Sequence, residues 1–192
     1  MTADELLERY AAGERDFSGI EIWDANLVKV DLRGINISGA ELRDACLIAA
    51  NLSEANLDNI QLEGSDLTSA SLYEASLRGA GLEACSLINA NCREVNMTEA
   101  KLYHSRLDGA SFYRAKLYGA VLWCHSCMGT DFGEADMRRV CFNRNFSVAY
   151  FKKTNLLGAV EFSPGKTDIF IETIMPDGII RDDSPLSENP NI

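Results

Sequence analysis

Cysteine and histidine are the residues of this chain best suited to chemistry. Six Cys stand at Cys46, Cys85, Cys92, Cys124, Cys127 and Cys141, enough in number for three disulfides or for a soft-metal site. Cys124 and Cys127 form a C-x-x-C with His125 between them, and His104 lies twenty residues before Cys124. Cys124, His125 and His104 are the candidates for a metal, but corner and inner side chains diverge and a closed zinc site needs four converging ligands. Gly165-Lys166-Thr167 ends like a phosphate-binding loop, but Val160 stands where that motif needs its first Gly, and no strand-to-helix pattern surrounds it. Two His in the whole chain leave no credible Ser/His/Asp set. The expectation is a protein that is not an enzyme, with no catalytic residue, no metal and no cofactor.

Composition narrows the classes further. The chain has 192 residues with 18 Lys and Arg against 29 Asp and Glu, a formal net charge of −11. That size favours one domain, and the charge disfavours direct nucleic-acid binding through a basic surface. The longest apolar run, residues 45–50, is far shorter than the roughly 18 residues a spanning helix needs, so no membrane association is expected. The start, Met1-Thr2-Ala3-Asp4-Glu5, is acidic where a secretory leader is basic. A cytoplasmic location is the expectation, with the cysteines kept as reduced thiols.

What positions these residues is a period of five. Stepping from Phe17 to Phe142, the 26 positions visited are all apolar, 16 of them Leu. Two residues before each such centre is a second column, Ala at 14 of 26 positions. A helix cannot use this pattern, because a five-residue step turns by about 140° and scatters the Leu around the barrel. A continuous strand cannot either, since an odd step sends alternate Leu to opposite faces. A short extended piece followed by a corner satisfies it. The centre and the residue two before it point inward, and the two residues after the centre turn the corner. Gly fills the second corner position at eight of 26 units, including Gly64 and Gly79.

Stretches such as Ala50-Asn51-Leu52-Ser53-Glu54 and Ala70-Ser71-Leu72-Tyr73-Glu74 resemble the A-(D/N)-L-x-x unit of the pentapeptide repeat family. The resemblance implies an all-β fold, a right-handed quadrilateral β-helix with four pentapeptides per coil. Residues 15–142 would then make a tower roughly 31 Å tall at about 4.8 Å per stacked strand. Its ends need covers. Residues 1–14 supply a short N-terminal capping helix, with Thr2 and Glu5 as a capping box and Leu6, Leu7, Tyr10 and Ala11 as its apolar face. After Phe142 the phase shifts: Phe146, Phe151 and Leu156 start one residue early, and residues 143–162 are expected as a distorted last coil. Residues 163–181 are expected as an irregular C-terminal cap, a hairpin and tail turning at Met175-Pro176-Asp177-Gly178, a segment that resembles the tail of many cyanobacterial members of the family. Residues 182–192 are polar and expected to be disordered.

Phase assigns each chemical residue a place. Cys92 and Cys127 are core centres, Cys85 is in the small inner column, and Cys46 and Cys141 point outward. Cys124 falls on a corner. His125 falls in the inner column below Ser65, Cys85 and Ser105, and is expected as a buried imidazole bonded to Ser105 or to nearby backbone. Metal binding by Cys124, His125 and His104 is the sharper alternative. Tyr103, Tyr113, Tyr118 and Trp123 gather in the last coils and are expected to pack under the C-terminal segment.

The outward columns carry the functional expectation. Residues twenty apart stack, so the third face shows Val28, Ile48, Thr68, Ile88, Asp108 and Met128 after its centres, widened by Cys46 and Ala49. A flat apolar stripe marks a contact surface. The alternatives are the ordinary liking of strands for β-branched residues and coverage by the C-terminal tail. The expectation is a non-catalytic protein-binding or scaffold protein, a monomer or weak dimer, whose partner is another protein. Resemblance supplies an alternative, since some members of the family imitate duplex DNA and bind type II topoisomerases (gyrase). Mimicry needs acid along the whole rod. Here residues 15–76 carry 4 basic and 11 acidic side chains, whereas residues 77–142 carry 8 and 7.

Overall fold

Leu and Ala alternate with corners in the way the sequence pattern requires. In the computed structural model, which describes residues 1–143 and 149–183, backbone bridges pair Asp16 with Asn36, Asn36 with Asn56, and so on in parallel at a spacing of twenty. Each coil is therefore four pentapeptides. Every centre from Phe17 to Phe142 is buried. Most corners close with a turn bond, as where the Ala50 N–H donates to the Leu47 carbonyl at 3.0 Å. The second corner residue has positive φ at every position from Gly19 to Arg139 except Cys124, and sixteen of those residues are not Gly. A left-handed conformation costs a non-Gly residue about 1–2 kcal/mol. The ladder above and below each corner imposes it nonetheless.

At the N-terminal end, helix α1 (Ala3–Ala11) opens with the capping box of Thr2 and Glu5. It lays Leu6, fully buried, over the first coil, with Leu7 and Tyr10 packed beside it and Ala11 exposed. The Tyr10 hydroxyl donates to the Arg33 carbonyl at 2.8 Å and ties the cap to the tower.

Towards the C-terminus the spacing shortens to nineteen. Asp131 pairs with Tyr150, Asp136 with Asn155 and Cys141 with Val160. The coil below repeats the step, with strand Tyr150–Lys152 on strand Ile169–Ile171 and Asn155 on Ile174. The β-helix thus continues through residues expected to be an irregular tail. Phe112, Phe132, Phe151 and Phe170 stack at 5.4, 5.4 and 5.0 Å between ring centroids. The chain ends its described part in an antiparallel hairpin, Thr173–Ile174 with Ile180–Arg181. Phe146 and residues 184–192 lie outside the described residues.

Candidate partner surface

On the third face, successive corners are joined by backbone bonds one coil apart. The N–H groups of Lys29, Ala49, Ser69, Asn89 and Gly109 donate to the carbonyls of Ile48, Thr68, Ile88, Asp108 and Met128 at 2.8–2.9 Å. Val28, Ile48, Thr68, Ile88 and Met128 consequently form one outward column, interrupted by Asp108. Val28 is 38% exposed and Met128 56%; Ile48, Thr68, Ile88, Cys46 and Ala49 are half-buried. Polar groups along the column are held down by local bonds. Asp66 accepts from the Thr68 N–H at 2.9 Å, and Asp108 accepts from the Met128 N–H at 3.1 Å and from the Ser126 hydroxyl. Residues 163–183 take their ladder partners from Ala149, Tyr150, Lys153, Thr154 and Asn155, on other faces of the tower. What the face offers is a stiff, mainly apolar strip with a few fixed acids.

The inner polar column is partly as expected and partly corrected. Ser65 and Ser105 are buried, and each hydroxyl enters the turn of the coil above. The Ala45 N–H donates to Ser65 Oγ at 3.0 Å, and Ser65 Oγ donates to the Leu42 carbonyl at 2.9 Å. Cys85 Sγ contacts the Leu62 carbonyl in the same way at 2.8 Å. His125, however, is exposed, and the fully buried Cys124 takes the interior place. The cause is a bulge. His125 donates its N–H to the Ser105 carbonyl at 2.8 Å, the bond that one coil earlier Arg106 makes to Cys85, while Ser126 still bridges Arg106. One residue has moved from the corner to the strand, so the count of five survives and the side chain at 125 turns out. With Cys124 inside and His104 and His125 outside, the three do not converge on a metal.

Burial sets the chemistry of the thiols. All six cysteines are free. Desolvation pushes the Cys85 thiol up to about 12 and raises Cys92 and Cys127 as well, which makes these poor nucleophiles at neutral pH. The four aromatic residues pair with the next coil rather than with the C-terminal segment. Trp123 lies edge-on to Tyr103 at 5.4 Å and donates Nε1–H to Cys141 Sγ at 3.4 Å. The Tyr113 hydroxyl donates to Glu134 at 2.7 Å, and Arg138 and Arg139 lie over Tyr118. Sequence reasoning missed a second apolar group at the C-terminal end, where Leu157, Val160, Ile179 and Ile180 are all exposed. The broken phase after Phe142 was its one available signal.

The comparisons with known proteins agree with this geometry. The profile of the family described as pentapeptide repeats matches residues 16–52, 45–83 and 75–112 in eight copies. The chain belongs to the pentapeptide repeat family. Among solved structures it is similar to HetL, a pentapeptide repeat protein involved in heterocyst differentiation regulation from the cyanobacterium Nostoc sp. strain PCC 7120. That likeness is 26% identity over 94% of this chain and 100% of HetL, with a TM-score of 0.50. It is also similar to QnrB1, a plasmid-mediated fluoroquinolone resistance protein, at 20% identity over 77% and 78% of the two chains and a TM-score of 0.50. A third pentapeptide repeat protein, alr5209 from Nostoc, is 32% identical over 79% of this chain and 96% of its own, with a TM-score of 0.30. No curated protein sequence matches. Membership and the likenesses to HetL and QnrB1 carry the right-handed quadrilateral β-helix. Among the described residues no helix is long and apolar enough to cross a membrane.

Proposed function

We propose that this pentapeptide repeat protein is a non-catalytic, cytoplasmic protein-binding scaffold that presents its third face to another protein. The observation that carries the reading is the column Val28, Ile48, Thr68, Ile88, Asp108 and Met128, apolar at four of six positions and exposed at both ends. Burying such side chains against a partner yields about 25 cal/mol per Å² of apolar surface, and the rigid ladder has little freedom left to lose on binding. Support also comes from HetL, a relative involved in the regulation of differentiation.

The test compares wild type with the double variant Ile48→Lys, Ile88→Lys as bait in native lysate. Circular dichroism must first show that the variant keeps its β-helix. A protein retained by wild type and lost by the folded variant, and crosslinking to the third face, is the expected result. Partners retained equally by both would overturn the assignment of this face.

The alternative reading, imitation of DNA toward gyrase, is favoured by the acid of residues 15–76 and by the fold shared with QnrB1. It is opposed by the balanced charge of residues 77–142. Inhibition of gyrase supercoiling by the wild-type protein, abolished by neutralising Glu54 and Glu74, would favour mimicry over the scaffold.

A further inference from the structure

The bulge at residue 125 brings together two residues that the repeat would keep apart. In an unbroken coil, the position of Cys124 is a corner and that of Cys127 is a core centre. Shifting one residue from corner to strand turns Cys124 inward, so that both thiols lie in the interior of the same coil, three residues apart and completely enclosed. Desolvation first, and then the neighbouring Cys124 side chain, raise the Cys127 thiol. Cys124 Sγ also contacts the Leu122 carbonyl at 3.4 Å, and the Cys124 carbonyl accepts from Asn143 Nδ2 at 2.7 Å, which holds the shifted backbone from the coil below. Elsewhere between Gly19 and Arg139, the second corner residue is left-handed. The single exception coincides with the pair of thiols.

We propose that Cys124 and Cys127 form an oxidisable dithiol that closes to an intramolecular disulfide on reaction with a low-molecular-weight disulfide of the glutathione class. One thiolate attacks a sulfur of the small disulfide and releases one small thiol. The second thiolate then attacks the mixed disulfide and releases the other. Two protons and two electrons leave the pair, and the oxidant departs as two thiols. Burial raises the Cys127 thiol and encloses both side chains in the closed coil, so exchange proceeds through opening of this coil. The same burial shields the product from reductants. Closure would fix the bulge, and with it Trp123 and His125 on the surface.

The test incubates the full chain with oxidised glutathione, in native buffer and again in urea below the unfolding midpoint, then blocks accessible thiols, unfolds the protein and labels what remains. Tryptic digestion yields one peptide, residues 117–138, that holds both cysteines. The expected result is that this peptide becomes lighter by two hydrogen atoms and takes no label, in urea if not in native buffer, while Cys85 and Cys92 take the second label. Cys124→Ser and Cys127→Ser should each abolish the light peptide. Free or merely glutathionylated Cys124 and Cys127 in both solvents, under conditions that modify Cys141, would overturn the proposal. So would a disulfide from either residue to a different cysteine.

Discussion

Ser65 illustrates how a polar side chain serves a Leu and Ala interior. Its hydroxyl stands between the Ala45 N–H and the Leu42 carbonyl, at 3.0 and 2.9 Å, where neighbouring corners close with a direct turn bond. Ser65→Ala removes the bridge and leaves a buried donor and acceptor facing a gap, which costs about 1–3 kcal/mol. Urea unfolding should show a lower midpoint at unchanged slope; a midpoint equal to wild type would mean that the turn simply re-closes. Ala80 tests the register itself. It is fully buried in the inner column, so Ala80→Arg forces an unpaired guanidinium into a dry core and costs several kcal/mol by the mechanism that makes lone buried charges so damaging. A thermal melt indistinguishable from wild type would contradict the placement.

Coils are the elements here, and each touches only its neighbours, so damage should stay local. Phe151 sits between Phe132 and Phe170 in the ring stack, fully buried. Phe151→Ala should cost about 3–5 kcal/mol. Hydrogen exchange should then rise in residues 149–183 and leave residues 20–100 protected; uniform loss of protection would show one cooperative unit instead. The same locality explains what the sequence made legible. From Phe17 to Phe142 each coil repeats one instruction, so period, core and outward columns could be counted residue by residue. At Cys124 the count misled, because a residue lost from the corner and gained by the strand leaves the sum at five. Beyond Phe142 two coils drop one residue each, and Asp168 stands where Ala is usual. Its buried carboxylate accepts from the Ala149 N–H at 3.0 Å and the Gly165 N–H at 2.6 Å, a local solution that no hydrophobic pattern announces.

For the molecule as a whole, pH acts through two opposite sets of groups. Arg33 holds the Asp31 carboxyl below its usual range, and Arg138 does the same for Asp136. A carboxyl lowered by folding stabilises above its unfolded pKa of about 3.9, and that contribution disappears as pH falls through the folded value. These pairs lie at the surface, where screening keeps their worth small. The thiols act from the alkaline side. Cys85, Cys92 and Cys127 are raised by desolvation, so in the range where unfolded chains begin to release thiol protons, from about pH 8.5, the folded protein still holds them. The unfolded state then binds fewer protons, and stability falls with rising pH. Each fully shifted thiol contributes a slope of up to about 1.4 kcal/mol per pH unit. For Cys85 the decline runs from its unfolded value up to about 12. Urea midpoints measured under reducing conditions should be flat near neutrality and fall steeply above about pH 9. Cys92 occupies a centre that is Leu in most other units, so Cys92→Leu should retain the fold and reduce the alkaline slope by about a third of the three-thiol total. An unchanged slope in that variant would show that the thiols are not the groups responsible.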